Sequence, residues 1–137
     1  MARIATGTSV SEDSDAALRG AYATLCERLG GEPTWTMLGV SATHDLARVQ
    51  MTWSEVCAGH VHGLTSSGGV MTEEGASQGR SMSLFGILDE EGSYGTSAAL
   101  VEDDVTGAAQ EALLAALGAA GRDGELPALI WMSCSPG

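Results

Sequence analysis

The chain contains no lysine: its six strong bases are all arginine, set against eighteen acids, for a formal net charge of −12 over 137 residues. That absence excludes a P-loop, whose lysine reaches the nucleotide phosphates, and it excludes Schiff-base chemistry. The charge repels a nucleic-acid backbone and an anionic membrane surface, so neither is expected as a partner. Long apolar runs are missing too. None approaches the roughly 20 residues of a spanning helix, so membrane insertion is not expected. The opening Met1-Ala2-Arg3-Ile4-Ala5-Thr6-Gly7 lacks the apolar stretch of a secretory signal. Large rings are scarce, with one Phe, two Tyr and three Trp. Cysteine is limited to Cys26, Cys57 and Cys134, an odd count at wide spacing with no CxxC. Such residues read as reduced thiols, which places the protein in solution in an intracellular, reducing compartment: the cytoplasm, or an organelle if a transit peptide has been removed.

What is present is globular. Apolar residues make up 44% of the chain and charged residues 18%, too hydrophobic for a disordered tail. Nineteen glycines and many alanines imply a core made from closely approaching backbones, as when helices lie flat on a sheet. A chain of this length fits one domain, with no composition break and no internal repeat.

Arg3 to Val10 reads as a strand. Ser11-Glu12-Asp13-Ser14-Asp15 then caps a helix with apolar positions at Leu18, Ala21, Tyr22, Leu25 and Leu29, which Gly30-Gly31 stops. Trp35 to Val40 predicts a second strand. Ser41 to Asp45 caps a second helix with Leu46, Val49, Trp53, Val56 and Cys57 inward, closed by Gly59. His60 to Thr65 is a third strand, followed by a loop of Gly, Ser and Thr up to Ser81. Met82 to Leu88 and Tyr94 to Val101 predict a hairpin across Asp89-Glu90-Glu91-Gly92. Asp103-Asp104 starts a third helix with Val105, Ala109, Leu113, Leu117 and Ala120 inward, and Ala128 to Met132 reads as a closing strand. The expectation is an α/β fold, a mixed sheet of about six strands with helices packed on it, in the order β-α-β-α-β-β-β-α-β. An apolar strand at Met132 with no helix behind it suggests half of a larger domain, or a partner protein covering the sheet edge or the C-terminal end.

Candidate chemistry is sparse. His60 and His62 share a strand face and could chelate a metal, but no third ligand lies at matching spacing. Cys134 sits in no nucleophile elbow. Val101-Glu102-Asp103-Asp104 offers oxygens to a hard cation, yet helix capping accounts for the acids more simply. No cofactor motif and no placed acid–base pair appear, so an enzyme is not expected. The strongest signal is Gly63-Leu64-Thr65-Ser66-Ser67-Gly68-Gly69-Val70: glycines and hydroxyls at the end of a strand, where open α/β sheets bind ligands. A flexible crossover loop is the alternative reading.

That segment resembles the Gly-x-Thr-Ser-Ala-Gly-Glu-Ile signature in the N-terminal sensory domain of the FIST family, and the predicted elements follow that family's order. The resemblance spans nearly the whole chain and about half of the family's domain. It implies a non-catalytic sensory module for a small ligand such as an amino acid, with Gly63, Thr65, Ser66, Ser67 and Gly68 as the pocket floor. Gly69 departs from the family's Glu, which removes a charge that could grip an amine. The alternative is an assembly subunit that keeps the fold without the ligand site.

Overall fold

The computed structural model describes residues 1–134. The chain divides into two compact units, Met1–Glu91 and a second beginning at Gly92.

The first unit holds strands β1 (Arg3–Ser9), β2 (Trp35–Ser41), β3 (His60–Ser66), β4 (Gly69–Thr72), β5 (Gly75–Gln78) and β6 (Met82–Leu88), with helices α1 (Ser14–Leu29) and α2 (Leu46–Val56). Four strands form a sheet in the order β1-β6-β2-β3, with β6 antiparallel to both neighbours and β2 parallel to β3. The sheet is therefore mixed, and the expected α/β class with six strands and three helices is observed. The strands are split between this sheet and a separate β4-β5 ribbon.

Helix α1 forms where a cap and a stop coincide. The Asp13 carboxylate accepts the Ala16 N–H at 2.7 Å, and Gly30 ends the helix in the left-handed region at φ 69°. Its apolar stripe, Leu18, Leu25 and Leu29 among others, meets Leu38 and Val40 of β2 and Met82 and Leu84 of β6 in one buried cluster. The approach is close because two sheet positions lack a side chain. A Cβ on Gly7 would fall 2.2 Å from the Ala21 carbonyl oxygen, and one on Gly86 would fall 2.8 Å from Leu25 Cδ2. The small residues noted in the sequence are thus what let α1 lie flat on the sheet.

Helix α2 starts as predicted, with the Asp45 carboxylate accepting the Arg48 N–H. Its inner face differs. Leu46 is exposed, Trp53, Val56 and Cys57 are only partly buried, and the side chain sealed away beside Val49 is Thr52. Thr52 can be buried because its hydroxyl donates to Asp15 at 2.7 Å.

The region 65–81, read from sequence as a loop, contains the β4-β5 hairpin. Alternation along β2 turns Gly39 away from Leu38 and Val40, and a Cβ there would meet Ser83 Oγ and Val70 Cγ1. The hairpin thus lies over the sheet face opposite the helices. Its tip is held by Thr6, which donates to Glu73, and by Arg28, which pairs with Glu74.

The second unit carries α3 (Val105–Ala119), capped by Asp104, whose carboxylate accepts the Gly107 N–H at 2.8 Å. Two expected strands are not found. Residues 94–101 are not a strand, since β6 already has β1 on one side and β2 on the other and no edge is left for a hairpin partner. The segment lies along α3 instead, with the Ser97 hydroxyl donating to the Ala112 carbonyl. Residues 128–132 are not a strand either, because their unit offers no strand among the described residues to pair with. Of the α3 positions expected to be inward, Val105 is exposed and Leu113, Leu117 and Ala120 are partly buried, while Ala108 is the buried one. Among the described residues no helix is long and apolar enough to cross a membrane.

Candidate functional site at the carboxyl ends of the parallel strands

Strands β1, β2 and β3 run in one direction and β6 opposes them. One end of the sheet therefore gathers the segments after Ser9, Ser41 and Ser66 together with the entry to β6. Open α/β sheets place their ligands at this end.

The segment singled out in the sequence lies here. Ser66 is fixed: its hydroxyl donates to the Gly69 carbonyl at 2.6 Å, and its own carbonyl accepts the Ala42 N–H at 2.8 Å, which ties the end of β3 to the end of β2. Thr65, opposite Val40, is exposed, as are Gly63, Ser67 and Gly68. A Cβ on Gly63 or Gly68 would touch nothing within 4 Å, so this stretch forms an open rim. Gly69 is required by the backbone. Its φ is 138°, and a Cβ there would fall 2.2 Å from the Ser77 carbonyl oxygen, so the hairpin has no room for any side chain at this position.

A concavity of about 460 Å³ opens at the same end, lined by Val10, Glu12, Thr43, Gln78, Gly79 and Arg80. None of Gly63, Thr65, Ser66, Ser67 and Gly68 lines it. Arg80 donates to the Glu12 carbonyl at 3.1 Å. Arg19, Arg28, Arg48 and Arg122 each have a carboxylate partner, whereas Arg80 has none within 4.0 Å among the described residues.

Behind Thr43 sits His44, 4% exposed. Its Nδ1 lies 3.1 Å from the Ser14 hydroxyl oxygen, which itself accepts the Asp45 N–H at 3.1 Å. The hydroxyl has a proton to give and a second lone pair, so it partners Nδ1 in either ring tautomer. Nε2 is buried and has no hydrogen-bond partner among the described residues. The His44 pKa is lowered, first by burial and second by the positive charge of Arg80, with Asp13 opposing, so the ring is neutral at neutral pH.

Sequence reasoning missed Glu12, Thr43 and Arg80, which line the concavity. Arg80 is the one base between Thr65 and Ser81, and that isolation was the available signal. His60 and His62 share a face of β3 as alternation predicts. Among the described residues no group of three or more His, Cys, Asp or Glu side chains comes together to hold a metal ion. Asp104 of the acidic run is a helix cap.

Compared with known proteins, the chain matches no family model and no curated protein.

Proposed function

We propose that this chain is a FIST-like, non-catalytic module that binds a small ligand of amino-acid type at the carboxyl ends of its parallel strands. The observation that carries the reading is the open concavity at that end, where one wall offers the unpaired cation Arg80 and another the acid Glu12. A zwitterion presents the complementary pair of charges. Gly63, Thr65, Ser66, Ser67 and Gly68 stand at the same end of the sheet, where the exposed residues Thr65 and Ser67 offer hydroxyls for a ligand's polar groups. Ser14, whose hydroxyl lies 3.1 Å from His44 Nδ1, is buried and also accepts the Asp45 N–H, which supports a structural role for the pair and not a nucleophile's. Three free thiols support a reducing, intracellular setting.

The test is a thermal-shift screen of the twenty amino acids, repeated with Thr65→Val. Stabilisation by one ligand class is expected, with affinity reduced by about 1–3 kcal/mol in the variant if the hydroxyl is a ligand partner. A flat screen rejects the ligand class, and an unchanged affinity rejects the role of Thr65.

A second reading, an assembly subunit, has its own support. Leu100, Val105, Leu114, Leu126, Leu129 and Trp131 are exposed large apolar side chains, all in the second unit, and such patches mark protein contacts. Purification of the native assembly and its mass separate the two: a stable larger complex favours the subunit.

A further inference from the structure

We propose that two copies of this chain associate by strand addition, the apolar run Ala128 to Met132 of one copy pairing with the free edge of β3 in the other. The inference deepens the assembly-subunit reading above, on which it rests, by naming the partner and the surface it takes.

The four-stranded sheet has two edge strands, β1 and β3, and they differ. On β1 the Thr6 carbonyl accepts an Arg28 N–H at 3.2 Å and the Thr6 hydroxyl donates to Glu73 of the β4-β5 hairpin, so the middle of that edge is covered. On β3 the two ends fix which backbone groups face β2: the His60 N–H donates to the Thr34 carbonyl, and the Ser66 carbonyl accepts the Ala42 N–H. Backbone groups alternate in direction along a strand, so the even-numbered residues serve β2, whereas Val61, Gly63 and Thr65 turn their N–H and C=O groups outward. No strand lies on that side. Nothing wards one off either. β3 carries no Asp, Glu, Lys or Arg, and such an edge is a template for a further strand. A Cβ on Gly63 would meet nothing within 4 Å, and a glycine inside a strand suits the close approach of another backbone.

Residues 128–132 have the opposite need. Leu129, Ile130, Trp131 and Met132 follow one another and are 82%, 50%, 59% and 60% exposed. Such a run suits a strand, yet it takes part in no ladder within its own chain. One element is an edge without a strand and the other a strand without an edge. Pairing them satisfies the outward groups of β3 and removes the apolar side chains from water together.

Charge selects a second copy as the occupant. At net −12 each copy repels its twin wherever the surface is acidic, so self-contact is confined to charge-free surface, and both elements are free of Asp, Glu, Lys and Arg. A partner chosen by complementary charge would be basic and would seat on the acids instead. Exchange in both directions doubles the contact and closes the pair at two copies.

The test is sedimentation velocity of the full chain alone over a wide concentration range, with a reductant present to exclude a Cys134 disulfide, alongside amide exchange. The expected result is a reversible dimer in which the Val61, Gly63 and Thr65 amides become protected as concentration rises. Gly63→Lys and Ile130→Lys, both at exposed positions that leave the fold intact, should each weaken it about tenfold or more. An equimolar mixture of the two variants should recover association, because the sound segment of the first meets the sound edge of the second. A chain that is monomeric at every concentration, or a dimer left as tight by Gly63→Lys, overturns the proposal. So does protection of the three amides that is independent of concentration, which assigns the added strand to the same chain. If the isolated chain is monomeric while the native assembly contains other proteins, this inference fails and the subunit reading stands; a monomer in both overturns both.

Discussion

The Asp15 carboxylate accepts the buried Thr52 hydroxyl at 2.7 Å, joining the first turn of α1 to the inner face of α2. The same carboxylate pairs with Arg19 at 2.8 Å and Arg48 at 3.3 Å. The Arg19 hydrogen bond, then that of Thr52, holds the Asp15 pKa at about 2 against an ordinary value of 3.8. A depressed folded pKa contributes stability that is present above the unfolded value and lost as pH falls through the folded one. Thermal stability is therefore expected to fall between about pH 4 and pH 2, and Asp15→Asn is expected to lower stability at pH 7 while flattening that acid limb. Circular-dichroism melts across the range provide the check, and an unaltered acid limb in the variant contradicts the assignment.

Close packing of α1 predicts an asymmetry among glycines. Gly7→Ala forces a Cβ to within 2.2 Å of the Ala21 carbonyl, and overpacking of this kind costs about 1–3 kcal/mol. Gly68→Ala meets nothing within 4 Å and is expected to be near neutral. Urea denaturation of the pair tests it; equal stability of the two variants refutes the close-approach account.

Thiol reactivity is predicted to separate by position. Burial raises the Cys26 pKa and pushes that of Cys57 up to about 12, and both side chains are only partly exposed, whereas Cys134 is exposed. A maleimide added to the native protein at pH 7 should consume one thiol quickly and the other two slowly. Peptide mapping identifies the fast site, expected at Cys134. Fast labelling at Cys57 contradicts the packing between the two helices.

The hairpin over the open sheet face should be locally labile. Its tip depends on Arg28 and Thr6 contacting Glu74 and Glu73 at the surface, and exposed ion pairs contribute little because solvent screens them. Arg28→Ala should leave global stability nearly unchanged while speeding amide exchange in 69–78. Exchange confined to global unfolding rates in both proteins argues against it.

Much of this fold was legible because local signals agree with one another. Asp13 and Asp45 mark helix starts, Gly30 marks a stop, and the stripe from Leu18 to Leu29 and the alternation of β2 point to the same core. The errors fall where pairing is decided at long range. Tyr94 to Val101 reads in the sequence as the second strand of a hairpin, but whether it pairs depends on a free edge of β6, and that edge is taken by β1 and β2 from elsewhere in the chain. The β4-β5 hairpin was hidden for the opposite reason: GVMT and GASQ carry little β-signal, and the turn geometry at Gly69 and Gly75 does the work. The site divides in the same way. Residues 63–68 form a contiguous motif and are visible in the sequence. Glu12, Thr43 and Arg80 are brought together only by three chain segments meeting at one end of the sheet, so no spacing could reveal them.

The central claim, a small-ligand site at the carboxyl ends of β1, β2 and β3, is tested most directly by a backbone ¹⁵N–¹H spectrum of the full chain titrated with the amino acid that gives the largest thermal shift. The account predicts saturable shifts confined to residues 10–14, 41–45, 63–69 and 78–81. Saturable shifts centred on 100–132 instead, or no saturable shift at all, would contradict it.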